Sequence, residues 1–75
     1  MRNLQLTAHI ERDIETGLYI GIVPSIPGAH TQARSLDELQ VHLKEVVELC
    51  VEEMSQEDIK SLPIFVGLQS FSVAV

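Results

Sequence analysis

Polar and apolar residues alternate regularly at the start of the chain. Across residues 3–12 every second residue is apolar, so that one face carries Leu4, Leu6, Ala8 and Ile10. This period of two predicts a half-buried β-strand. Residues 18–23, LYIGIV, form a second β-rich run, and the loop between the two runs ends at Gly17, which tolerates a positive φ. We therefore predict an antiparallel β-hairpin.

A proline-rich corner follows the second strand. Pro24 and Pro27 lack the backbone N–H that a sheet needs, so they end strand pairing, and Gly28 permits a conformation that other residues resist. Residues 29–33, AHTQA, predict a short third strand. Two roles remain open for the corner. It ends the sheet and sets the direction of the next helix, or it also shapes an edge that a partner contacts.

The clearest pattern predicts a helix over residues 36–54. Ser35 and Glu38 have the spacing of a capping box, in which each side chain binds the other residue's backbone amide. Apolar residues then recur every three or four positions in one stripe that must pack on the sheet, namely Leu36, Leu39, Leu43, Val46, Val47, Cys50 and Met54. The roughly opposite face carries Glu38, Glu45, Glu48 and Glu52.

Residues 64–75 contain another strand-like pattern, after a polar connection over residues 55–63. Apolar residues occupy even positions up to Leu68 and odd positions from Phe71 onward. One strand with a bulge at residues 67–70 explains this change of phase, and so does a hairpin there; the lack of an Asn-Gly or Asp-Gly turn favours the bulge. The predicted order is β-β-β-α-β, an α+β fold with one helix packed on a mostly antiparallel sheet.

Composition and charge narrow the possible functions. The 75 residues make one domain, 1–75, and no apolar run reaches the roughly 18 residues of a membrane helix. Five basic residues face eleven acidic ones, and the basic residues form no cluster. Because nucleic-acid binders need basic surface against phosphates, we expect no direct nucleic-acid binding and rather a basic protein partner. A single cysteine and the absence of a leader-like apolar block indicate a cytoplasmic protein.

The titratable residues lack the pattern of a catalytic or metal site. His9, His30 and His42 lie far apart without the spacing of metal ligands, and Cys50 falls in the apolar stripe of the helix. The glycines match no phosphate-binding loop. We therefore expect no enzyme activity, no catalytic residue, no cofactor and no metal. A solvated face and a docking surface for a basic protein both explain the helix glutamates.

Several motifs occur together over residues 17–49: an aromatic strand after a glycine, a Pro-x-x-Pro-Gly corner, a short strand, and a capped helix with an acidic start. In this combination the chain resembles the HicB family of small antitoxin-like proteins. The positions that carry the resemblance are Gly17, Tyr19, Pro24, Pro27, Gly28, Thr31, Ser35, Leu36, Glu38 and Glu45. The resemblance implies a partial RNase H-like fold without RNase H activity.

The resemblance also implies a partner and a function. HicB-type antitoxins bind a small basic ribonuclease toxin of the HicA type and cover its active surface, a task that suits an acidic chain. The partner-binding residues are then Pro27 and Gly28 of the corner and Glu45, Glu48 and Glu52 of the helix. The alternative is an orphan HicB-like protein-interaction module with another partner and no catalysis. Family members often carry a C-terminal DNA-binding segment, and we expect none in this chain.

The last residues predict self-association. Phe71, Val73 and Val75 lie on one side of the predicted last strand, and no charged residue occurs after Lys60 to protect its edge. A chain of 75 residues has a thin core, which a second copy would enlarge. We expect a homodimer or a higher even oligomer with these three apolar residues in the interface. A monomer whose last strand pairs inside its own sheet is the competing possibility.

Overall fold

The computed structural model describes residues 4–75, which form a three-stranded antiparallel sheet followed by two helices. The strands are β1 (His9–Arg12), β2 (Tyr19–Ile22) and β3 (His30–Ala33), and the helices are α1 (Leu36–Glu52) and α2 (Gln56–Lys60). The sheet order is β1-β2-β3. The predicted α+β class, with a long helix after an antiparallel sheet, is confirmed.

The first strand is shorter than the predicted residues 3–12. Only His9–Arg12 pair with β2, while residues 4–8 precede the strand, and residue 3 lies outside the described part of the chain. The partner strand is the reason, because in this register the backbone opposite residue 7 is Pro24, where β2 has already ended. Leu6 and Ala8 keep the predicted alternation, since both pack against the buried core.

Helix α1 packs on the sheet through the predicted apolar stripe. Leu39 is fully buried, and Leu43 lies over Gly21, where an added Cβ would come within 3.0 Å of Leu43 Cδ2. The small residue at the centre of β2 therefore permits the close approach of helix and sheet. Leu36 is exposed, so its predicted place in the packed stripe is wrong. As the first residue of α1, three residues after the end of β3, it lies at the margin of the sheet.

The start of α1 has one of the two hydrogen bonds of the predicted capping box. The Ser35 hydroxyl accepts a 3.1 Å hydrogen bond from the Glu38 amide. The Glu38 carboxylate does not complete the predicted capping box but lies 3.8 Å from His42 Nε2, one turn further along the helix. The helix ends at Glu52, two residues earlier than predicted, where the Glu53 amide donates to two carbonyls of the last turn.

Removal of the Ser35 cap should destabilise the protein modestly. Ser35→Ala is expected to lower the free energy of unfolding by roughly 1 kcal/mol, because an amide of the first turn loses its acceptor. Ser35→Gly should lower it by only a few tenths of that amount. Urea unfolding followed by circular dichroism measures both variants. Two neutral substitutions would contradict the assignment of Ser35 as the residue that begins α1.

The corner between β2 and β3 forms the centre of the hydrophobic core. Val23, Ile26 and Ala29 are buried and pack together. The Val23 amide donates to the Ala29 carbonyl at 2.8 Å, and the Ile26 amide donates back to the Val23 carbonyl at 3.1 Å. Gly28 completes the turn with a φ of +80°, which glycine adopts without strain. The corner thus turns Ile26 inward, while both of its prolines remain exposed.

A short second helix occupies part of the predicted connection over residues 55–63. Ser55 begins α2, and its hydroxyl accepts from the Asp58 amide at 3.1 Å while the Asp58 carboxylate accepts from the Ser55 amide at 3.2 Å. This complete capping box supports a helix of only five residues. Neither α1 nor α2 is long and apolar enough to cross a membrane, and no other helix occurs in the described residues.

Residues 64–75 form no strand in the structure, so the predicted bulged strand or hairpin is absent from the single chain. A strand needs a neighbouring backbone to pair with, and within residues 4–75 this segment pairs with none. Its large apolar side chains are consequently exposed; they are Ile64, Phe65, Val66, Leu68, Phe71, Val73 and Val75.

Candidate protein-binding surface

The outward face of α1 combines three carboxylates with two apolar side chains. Glu45, Glu48 and Glu52 follow one another at intervals of three and four residues, which places them on one side of the helix, and all three are exposed. Val41 and Leu49 lie on the same side and are exposed as well. We call these five residues the acidic helix face.

The carboxylates of the acidic helix face have no lysine or arginine partner within the part of the chain that the structure describes. The close contacts between a carboxylate and a basic side chain found there both involve histidine: His9 Nε2 lies 3.5 Å from Glu11, and His42 Nε2 lies 3.8 Å from Glu38. Uncompensated neighbouring charges of one sign repel each other, so a partner of the opposite sign is attracted to them. The acidic helix face can therefore attract and orient a basic surface.

Of the predicted corner residues, Pro27 lies near the C-terminal end of α1. Pro27 and Gly28 are both exposed. Pro27 lines a shallow hollow of about 700 Å³ together with Glu53, just after α1, and Asp58 of α2. The hollow thus places two carboxylates beside Pro27, while no residue of the acidic helix face lines it.

The structure does not gather all the predicted partner-binding residues at one point. Glu45 lies about two helical turns from Glu52, and neither residue lines the hollow beside Pro27. The sequence pattern did not indicate Glu53 and Asp58, because the fold rather than residue spacing brings them to the corner. The available signal was the Ser-x-x-Asp motif that starts α2 and fixes the position of Asp58.

The hairpin loop between β1 and β2 carries another acidic residue, whose carboxylate is used within the loop. Asp13 accepts a 2.6 Å hydrogen bond from the Thr16 hydroxyl and a 3.2 Å bond from the Thr16 amide. The loop closes at Gly17, with a φ of +75° and an amide that donates to the Asp13 carbonyl at 2.8 Å. The hydroxyl hydrogen bond lowers the pKa of Asp13 below its ordinary value of 3.8.

Loss of the Thr16 hydroxyl should raise the pKa of Asp13. Thr16→Val is expected to move this pKa back toward 3.8, whereas Thr16→Ser, which keeps the hydroxyl, should leave it low. A carboxyl whose pKa is lower in the folded state stabilises the fold above its unfolded pKa, and that contribution is lost as the pH falls through the folded pKa. An NMR titration of the Asp13 carboxyl measures the effect. Identical pKa values in the wild type and Thr16→Val would contradict the assignment.

His42 and Cys50 contact different parts of the molecule. His42 Nδ1 lies 3.2 Å from the Gln32 carbonyl oxygen of β3, and the half-buried Cys50 packs against the core. Across residues 4–75, no group of three or more histidine, cysteine, aspartate or glutamate side chains is arranged to hold a metal ion.

The predicted self-association residues form a second exposed surface. Phe71, Val73 and Val75 are exposed within the 64–75 segment, where no charged side chain accompanies them. The molecule therefore presents two surfaces of different chemistry, one acidic on α1 and one apolar on residues 64–75.

Proteins of nearly the same length are similar to this chain. A UPF0150 protein of Thermotoga maritima is 44% identical over 75 residues, which cover 97% of this chain and 97% of that protein. UPF0150 proteins of Archaeoglobus fulgidus and Synechocystis sp. are 48% and 42% identical over 65 and 64 residues, in each case 85% of this chain and 87% of the relative. The names of these relatives state a family and no activity, and they do not confirm the resemblance to HicB proteins. No family model matches the chain, and no solved structure matches it significantly.

Proposed function

The chain belongs to the UPF0150 family, and we propose that it acts as an antitoxin-type inhibitor, which binds a small basic ribonuclease of the HicA type and covers its active surface. The observation that carries the proposal is the acidic helix face, whose exposed carboxylates lack a lysine or arginine partner in the described residues. The motif resemblance of residues 17–49 to the HicB family supports the same function. The protein itself is then a binding partner and performs no catalysis.

Charge complementarity explains why an acidic helix would suit this partner. A ribonuclease must hold the phosphates of RNA, so its active surface presents basic side chains. Glu45, Glu48 and Glu52 offer carboxylates to the same basic groups. The inhibitor therefore competes with RNA for one surface, and the attraction weakens as added salt screens the charges.

The exposed apolar residues of the acidic helix face supply the second component of binding. Charges mainly steer the encounter and fix the orientation, whereas the burial of apolar side chains contributes to the stability of an interface. Val41 and Leu49 are exposed on α1 beside the three glutamates. A basic partner with an apolar centre would cover both kinds of residue at once.

The alternative function is a protein-interaction module for a basic partner that is not a ribonuclease. The same acidic face fits such a partner, so binding alone does not distinguish the two functions. An inhibition assay distinguishes them. An antitoxin must reduce the activity of the ribonuclease that it binds, whereas the partner of an interaction module has no ribonuclease activity.

Capture followed by an inhibition assay tests the proposal. The tagged chain is used to isolate its partner from native cells, and the partner is then separated and assayed for RNA cleavage with increasing amounts of this protein. We expect a small basic ribonuclease whose cleavage stops when the inhibitor reaches the equivalence point. A partner without ribonuclease activity favours the interaction module, and a ribonuclease that stays active in the complex contradicts the antitoxin function.

A further inference from the structure

An apolar groove runs between β1 and α1. It has a volume of about 980 Å³, and its walls include Leu6, Ala8 and Ile10 on one side and Leu43 and Val47 on the other. Ile10 is 47% exposed although it shares the helix-facing side of the sheet with Gly21, its partner in β2. The helix thus leaves the β1 side of the core uncovered.

The backbone of β1 is available for pairing along this groove. The Asp13 amide donates to the Leu18 carbonyl at 2.8 Å. From this bond and the register, the β1 residues whose backbone groups bond to β2 can be assigned, since such residues alternate along an antiparallel strand. In this register Glu11 directs its backbone groups to β2, and Ile10 and Arg12 direct theirs to the open edge. The opposite edge of the sheet is partly used, since His42 Nδ1 contacts the Gln32 carbonyl of β3 at 3.2 Å. The free edge that adjoins an apolar groove is therefore that of β1.

The 64–75 segment has the properties of the missing strand, but its own chain does not place it in this groove. Residues 63–68 line a different cleft beside Gln5, Thr7 and His9, and this cleft meets the groove at Gln5, Leu6 and Thr7, which line both. No residue of the segment lines the groove between β1 and α1. The molecule is also extended, with a radius of gyration of 14.2 Å against about 11 Å for a compact domain of this length.

We propose that residues 69–75 of a second copy add to the open edge of β1 as a strand and fill the groove with Phe71, Val73 and Val75. The exchange is reciprocal, so the pair has two-fold symmetry and each chain both gives and receives a strand. The period of two puts these three side chains on one face of the added strand, while Ser70 and Ser72 face the other side. This interface does not depend on the proposed antitoxin function.

The amount of apolar surface fits a stable dimer. A standard interface buries about 800 Å² on each partner. Residues 69–75 expose Phe71, Val73 and Val75, and one aromatic side chain alone can bury about 150–250 Å². Because the exchange is reciprocal, each chain buries these three side chains and also its own groove. Exchange would also hide the uncharged strand edge that otherwise favours aggregation. Glu45, Glu48 and Glu52 do not line the groove, so the dimer leaves these carboxylates accessible. Val41 does line the groove, so this residue lies where the dimer contact and the acidic helix face meet.

Two pairs of matched variants test the donor and the acceptor of the exchanged strand. In the donor, Phe71→Asp with Val73→Asp should give a monomer, whereas Ser70→Asp with Ser72→Asp adds the same charge on the other face and should remain a dimer. In the acceptor, Ile10→Asp should give a monomer, whereas Ile22→Asp should remain a dimer. Ile10 and Ile22 lie on opposite faces of the sheet. Because they are 47% and 42% exposed, the two substitutions should lower the stability of the single chain by similar amounts.

Light scattering at micromolar concentration gives the mass of each variant, and amide hydrogen exchange on the wild type locates the contact. We expect twice the monomer mass for the intact chain, with slow exchange at the outward amides of Ile10 and Arg12 that becomes fast in a chain ending at Gln69. A monomeric mass for the intact chain overturns the proposal. If the Ile10 and Arg12 amides of that monomer are nevertheless protected, the 64–75 segment pairs with β1 of its own chain. A dimer that persists without residues 70–75 overturns it as well.

Discussion

Leu39→Ala should lower the free energy of unfolding by about 2–5 kcal/mol, the range found for buried leucines that leave a cavity behind. Leu39 is completely buried, with 0% of its surface exposed, where α1 contacts the sheet. The substitution removes its burial from water and opens a void that the surrounding residues refill only in part. A domain of 75 residues has a total stability of roughly 4–11 kcal/mol, so this one change can unfold much of the protein.

Leu49→Ala is the matched control for this experiment. Leu49 lies on the same helix and is 63% exposed, so its truncation should change stability by no more than about 0.5 kcal/mol. Leu43→Ala should fall between the two, because Leu43 is half-buried. Urea unfolding at one fixed protein concentration measures all three, since self-association would make stability depend on concentration. Equal losses for Leu39 and Leu49 would show that the buried face of α1 is wrongly assigned.

Ile26→Ala is expected to cost a similar amount, about 2–5 kcal/mol, although Ile26 lies in a turn. Its side chain is 2% exposed and packs with Val23 and Ala29 at the centre of the core. Truncation leaves a cavity there, and the turn hydrogen bonds through Ile26 hold the corner so that it cannot collapse to fill the space.

Ile14→Ala provides the comparison for the corner. Ile14 also lies in a turn, between β1 and β2, but it is 98% exposed. Its truncation should leave the urea midpoint almost unchanged. If Ile26→Ala were as mild as Ile14→Ala, the corner would serve only to reverse the chain, and its role as the centre of the core would be refuted.

The main elements could be predicted because their residue patterns are long or sharply bounded. The period of the apolar residues predicts α1 over most of its length, and Ser35 predicts its first residue. The burial of Ile26 could not be predicted in this way. It lies between two prolines and two residues before a glycine, where no period of two or of three to four exists, and only the three-dimensional turn directs its side chain inward.

The chain after α1 shows a different limit of sequence patterns. Five residues are too few for an apolar period, so α2 depends on the paired hydrogen bonds of Ser55 and Asp58. Residues 64–75 do have a strand pattern, but a pattern states which side chains can pack and not which backbone they pair with. Without a neighbouring edge the segment stays unpaired, as the structure has it.

The candidate binding surface was predictable in part. Glu45, Glu48 and Glu52 share one helix face by spacing alone, and the structure leaves them exposed. The position of Glu53 and Asp58 beside Pro27 depends on the return of the chain toward the corner, which is a property of the whole fold.

The association rate with the basic partner, measured for two charge-matched triple variants, tests the docking role of the acidic helix face most directly. One variant reverses Glu45, Glu48 and Glu52 to lysine; the other reverses three exposed glutamates elsewhere, namely Glu11, Glu15 and Glu57. Each reversal adds two charges, so both variants move from a formal net charge of −6 to zero. Any difference between them therefore reports the position of the charges and not their sum.

If the acidic helix face is the docking surface, reversal of Glu45, Glu48 and Glu52 should slow association at low salt by at least about tenfold. Reversal of Glu11, Glu15 and Glu57 should slow it far less, and the circular dichroism of both variants should match the wild type. Equal rates for the two variants, or a rate that neither salt nor reversal changes, would contradict the assignment of the binding surface to α1.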